Sequence, residues 1–67
     1  MKTLIDEAYP ELSKTMTDEE KVGVEAIICL QWAAGKEESA EKALSSWRAF
    51  TDKQRKFTMA TFRVMCK

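Results

Sequence analysis

The sequence predicts an all-α protein: a small bundle of three main helices, about residues 18–34, 39–50 and 52–66, preceded by a short N-terminal helix. Three observations carry this. Apolar residues recur at spacings of three and four, the helical period, and no stretch alternates in the manner of a strand. Two segments open with a Thr followed three residues later by Glu or Gln, the signature of a helix start. With 45% hydrophobic residues, two Gly and one Pro, the chain is too apolar and too poor in breakers to be a disordered linker.

Thr3 caps the first helix, Leu4 to about Ala8, which places Leu4, Ile5 and Ala8 on one side. Pro10 ends it, since proline has no N–H to donate and restricts Tyr9 before it. Glu11 to Met16 then reads as a turn or loop. In Thr17-Asp18-Glu19-Glu20 the Thr hydroxyl and the Glu three residues on satisfy each other's backbone N–H groups, and the acids suit the positive end of the helix dipole. This helix runs to about Ala34, where Gly35 supplies the left-handed residue that terminates it. Gly23 lies inside it at a cost of about 1 kcal/mol against Ala, which signals either close packing or a weak first turn. The next helix starts near Ser39 and carries an amphipathic stripe, Ala40, Ala43, Leu44, Trp47 and Phe50. Thr51-Asp52-Lys53-Gln54 repeats the capping pattern and opens the last helix.

Sixty-seven residues form one small domain, residues 1–67, and a chain of that size buries only about 60% of the surface its unfolded form exposes. Two of the helices nonetheless carry more apolar surface than one core face requires. The 18–34 helix has Val22, Ala26, Ile27, Leu30 and Ala33 on one side and Val24, Ile28 and Trp32 on the other. The last helix has Phe57, Ala60, Thr61 and Val64 on one face and Met59, Phe62 and Cys66 on another. A helix apolar all round is a buried one. Either the N-terminal segment, with Leu4, Ile5, Tyr9, Leu12 and Met16, folds over the second stripe, or a partner covers it. The expected protein interface is therefore Val24, Ile28, Trp32, Met59, Phe62 and Cys66. Trp, Phe and Met are enriched at such contacts, and a homodimer is expected, since pairing two bundles would bury these stripes and relieve the small size of the core together.

Eleven basic and eleven acidic residues cancel, yet residues 1–41 carry ten acids and four bases (−6) while residues 42–67 carry seven bases and one acid, Asp52 (+6). A chain so divided can bind acids with one end or a copy of itself head to tail. In the last helix Lys53, Lys56, Arg63 and Lys67 line one stripe, candidate contacts to phosphates or to an acidic partner. Nucleic-acid binding is the alternative function. Against it stand the neutral overall charge and the junction Phe50-Thr51-Asp52, which is shorter than a helix-turn-helix turn and lacks Gly.

The chemistry of an enzyme is missing. There is no His, the commonest general base and metal ligand. Cys29 and Cys66 have no zinc-ligand spacing and are too few for a disulfide scaffold, and neither Gly belongs to a phosphate loop. No catalytic residue, cofactor or metal is expected. The longest apolar run, Ala26 to Leu30, is far short of a membrane span, and no secretory signal pattern is visible, so a cytoplasmic location is expected. The chain therefore reads as a small non-enzymatic interaction or regulatory protein that binds another protein, or itself, through apolar helix faces. Phage and mobile-element accessory proteins include chains of this size, an expectation from length alone.

Overall fold

The computed structural model describes residues 3–65, and Cys66 and Lys67, expected at the interface and on the basic stripe, lie outside them. These residues form five helices and no strand: α1 (Leu4–Ala8), α2 (Pro10–Ser13), α3 (Asp18–Ala33), α4 (Ala40–Ala49) and α5 (Asp52–Met65). The three long helices fall where the sequence placed them. The segment read as a loop differs, because Pro10 opens α2 as well as closing α1. At a first helical position the missing N–H costs nothing and the fixed φ is already helical. Gly35 ends α3 with φ 77°, the left-handed conformation its position called for.

Three helices are closed by reciprocal caps, in two of which the carboxylate does a second job. Asp6 accepts from the Thr3 N–H (3.0 Å) through Oδ2, while its Oδ1 meets Lys21 of α3 at 3.1 Å. Glu20 accepts from the Thr17 N–H (3.0 Å) through Oε1, while its Oε2 takes the Arg48 Nε–H of α4 at 2.7 Å. Each carboxyl is held below the usual carboxylate range, Asp6 chiefly by the Thr3 N–H and then Lys21, Glu20 chiefly by Arg48 and then the Thr17 N–H. The same residues therefore start the helices and orient them toward one another. The third cap, at α5, is neutral: Thr51 N–H to Gln54 Oε1 at 2.8 Å and Gln54 N–H to Thr51 Oγ1 at 3.2 Å.

α3 is the central element and presents a different face to each neighbour. Lys21 and Glu25, one turn apart, hold α1, the latter through the Leu4 N–H at 2.7 Å. Between and beside them Val24 and Ile28 are buried, with Ile5 wholly enclosed in the same core. This corrects the expectation that Val24 and Ile28 face a partner: both are buried in the chain's own core, in one cluster with Ile5 and Met16 of the N-terminal segment, and Lys21 and Glu25 beside them anchor α1. On the next face Gly23 receives the Trp47 ring of α4, where a Cβ would stand 2.6 Å from Cε3, well inside van der Waals contact. Gly23 is thus a site of close helix approach. Ala40, Ala43, Leu44 and Trp47 of α4 complete the core, with Leu12, Phe50 and Met59 packed at its margin.

Candidate interaction surface

The position of α5 is set by Arg55. Its Nε–H donates to the Trp47 carbonyl (3.1 Å), which also accepts the Phe50 N–H (3.2 Å), and its Nη2 donates to the Arg48 carbonyl (3.3 Å), so one side chain adds two donors to carbonyls at the end of α4. The guanidinium also lies 5.4 Å from the centre of the Trp47 ring, a cation–π contact. Met59 and Phe62 follow Arg55 by four and seven residues, hence on the same side of the helix. Both are half-buried, and Met59 packs on the core. Phe57, Ala60 and Val64 consequently point to solvent, Phe57 at 72% and Val64 at 79% exposure. No residue of α5 is fully buried.

The outward stripe of α5 is therefore not the one read from the sequence, since Met59 and Phe62 turn inward and Phe57 and Val64 turn out. Periodicity supplied two faces of similar apolarity. The choice between them came from Arg55, whose signal was a lone Arg eight residues after a Trp.

The remaining expected interface residue, Trp32, is 62% exposed near the C-terminal end of α3. It lines a shallow cleft with Gly35 and Lys36–Ser39, to which α5 contributes nothing. Val24, Ile28, Trp32, Met59 and Phe62 therefore do not assemble into one surface.

Lys53, Lys56 and Arg63 are all exposed, and none makes a salt bridge among the described residues. Lys56 and Arg63 stand along one wall of a groove of about 550 Å³ between α3 and α5, floored by Val22, Trp47 and Met59, with Asp18 and Glu19 on the opposite wall. Lys53 lies further along the helix, beside Phe50 and Phe57. The outward side of α5 is thus an apolar pair seven residues, or almost two turns, apart, with three cations beside it. The neutral polar residues of the helix are already engaged. Gln54 is held in the cap, Thr58 Oγ1 donates to the Gln54 carbonyl (2.9 Å), and Thr61 Oγ1 donates to the Phe57 carbonyl (2.9 Å).

Among the described residues no group of His, Cys, Asp and Glu is placed to hold a metal ion, and no helix is long and apolar enough to cross a membrane. Compared with known protein families, curated proteins and solved structures, the chain matches none.

Proposed function

We propose that this chain is a non-enzymatic interaction protein that acts by binding another protein, or a second copy of itself, through the outward face of α5. The observation that carries the proposal is the exposure of Phe57 and Val64, 72% and 79%, on a 14-residue helix with no buried residue. Contiguous exposed apolar residues rimmed by charge mark binding surfaces, whereas scattered ones are ordinary. Three cations beside them, none in a salt bridge among the described residues, supply orientation and faster encounter with an oppositely charged partner. Trp32, exposed on a different part of the molecule, offers a second anchor of the type that dominates binding energy. The absence of His and the open, shallow form of the clefts favour binding over catalysis.

The experiment is affinity capture from an extract of the cells that make the protein, with the immobilised wild type beside a Phe57→Asp, Val64→Asp double variant of unchanged helix content. A protein retained by the wild type and lost by the variant is the expected result. Equal retention by both would exclude the outward face of α5.

A second reading, binding of nucleic acid, is supported by the same three cations, which are spaced to follow phosphates. It is weakened by the engagement of Gln54, Thr58 and Thr61 within the helix, which leaves no neutral polar side chain on α5 to read base edges. Titration with a duplex oligonucleotide at 50 and 200 mM salt separates the two. Binding that falls steeply with salt, and is lost in Lys53→Glu, Lys56→Glu, would favour phosphate contacts.

A further inference from the structure

The partner of α5 is identifiable by chemistry, because the same molecule carries a complementary surface. Between α2 and the start of α4 lies a second cleft, of about 380 Å³. Its apolar walls are Tyr9, Pro10, Leu12 and Ala40, its rim carries Glu11 and Glu41, and no basic residue lines it. Tyr9 is 43% exposed there, whereas Ile5 and Met16 on either side of it in the sequence are buried in the core. Glu11 has only a weak local partner, Lys14 at 3.4 Å, in a pair so exposed that another cation can replace it.

The outward face of α5 has the opposite composition. Phe57 and Val64 stand among Lys53, Lys56 and Arg63, and residues 53–65 contain no acid at all. α5 lines no part of the acidic cleft, so the two surfaces do not meet within one chain.

We propose that the outward face of α5 of one copy docks on the α2–α4 cleft of the next, with Phe57 in the space between Tyr9, Leu12 and Ala40 and the α5 lysines against Glu11 and Glu41. The proposal rests on α5 being the binding element and names a second copy of this chain as its occupant. Pairing α5 with α5 across a two-fold axis is disfavoured, because it would set the Lys53, Lys56 and Arg63 of one copy against the same three cations of the other, with only Asp52 and the groove acids Asp18 and Glu19 nearby. Joining unlike surfaces makes the contact heterologous, so successive copies form a ring if the rotation closes and a chain if it does not. An aromatic side chain buries about 150–250 Å² on its own; the charges add register and salt sensitivity.

The test is a charge exchange read by light scattering from tens to hundreds of micromolar, with helix content checked by circular dichroism. One variant carries Lys53→Glu and Lys56→Glu, the other Glu11→Lys and Glu41→Lys. The wild type is expected to gain mass with concentration, past two chains, and to lose that gain at high salt. Each variant alone is expected to associate at least about tenfold more weakly, and an equimolar mixture to recover association, because each acidic α5 then meets a basic cleft. A wild type that stays at one chain throughout would overturn the proposal, as would a Glu11→Lys, Glu41→Lys variant that associates like the wild type, since pairing would then not involve the cleft. If the wild type stays monomeric yet captures another protein through Phe57 and Val64, α5 remains the binding element and only the choice of occupant fails. If it does neither, both fail.

Discussion

The indole of Trp47 lies directly over Gly23, closing α4 on α3 at a point where any larger residue would collide with the ring. Two effects compete at this position. Alanine would favour the α3 helix by about 1 kcal/mol, while overpacking a close helix contact costs about 1–3 kcal/mol or more. The contact is backbone against a rigid, buried ring that is also held by Arg55, so the collision is expected to win. Gly23→Ala should lower stability by about 1–3 kcal/mol, a fall in Tm of roughly 4–8 °C per kcal/mol in a domain this small. A Gly23→Ala protein that melts at or above the wild-type temperature would mean that α4 slides to accommodate the methyl group.

Arg55 deserves separation from the other basic residues of α5, because its work is internal. Arg55→Met keeps much of the aliphatic stem but removes the donors to the Trp47 and Arg48 carbonyls and the charge over the indole. Urea denaturation is expected to show a loss of about 1–2 kcal/mol. Lys56→Met, at an exposed residue with no salt bridge among the described residues, should stay within about 0.5 kcal/mol of wild type. Similar losses from both substitutions would show that Arg55 does not hold α5 in place.

The two aromatic residues of α5 should separate in the same way. Phe62→Ala removes a half-buried side chain and is expected to destabilise the fold by about 1–2 kcal/mol, while Phe57→Ala, at 72% exposure, should change it by less than about 0.5 kcal/mol. The reverse order in thermal melts would mean that α5 docks by its other face.

Stability should fall in acid through Asp6 and Glu20. Both have folded-state pKa values depressed below the ordinary carboxylate range, by the Thr3 N–H and Lys21 in one case and by Arg48 and the Thr17 N–H in the other. A depressed carboxylate contributes its full stabilisation above its unfolded value, about 4, and loses it as pH falls from there toward the folded value. The urea midpoint should therefore hold near neutral pH and drop below about pH 4. Asp6→Asn should be less stable than wild type at pH 7, with the gap narrowing in acid. A gap that stayed constant from pH 7 to pH 2.5 would show that the Asp6 charge contributes nothing.

The sequence alone determined the secondary structure of the long helices, because the signals for it are local. Thr17 with Glu20 and Thr51 with Gln54 close their own helix starts within four residues, and Gly35 needs only its own backbone to end α3. The division into an acidic N-terminal part and a basic C-terminal part was equally legible, since charge is additive along the chain. The α2 turn was missed because a proline reads first as a terminator, and its second use as a helix start depends on where the chain is led next.

Which faces are covered was decided only in three dimensions. Val24 with Ile28 and Phe57 with Val64 are apolar pairs of similar kind on the helical wheel, yet the first is enclosed and the second is open to water. The difference lies in contacts between residues distant in sequence: Asp6 with Lys21 and Leu4 with Glu25 anchor α1 beside the first pair, and Arg55 rolls α5 so that Met59 and Phe62 turn inward. Hydrophobic burial is non-directional and rewards either face about equally. A few hydrogen bonds and ion pairs with fixed geometry select between arrangements that it leaves nearly degenerate.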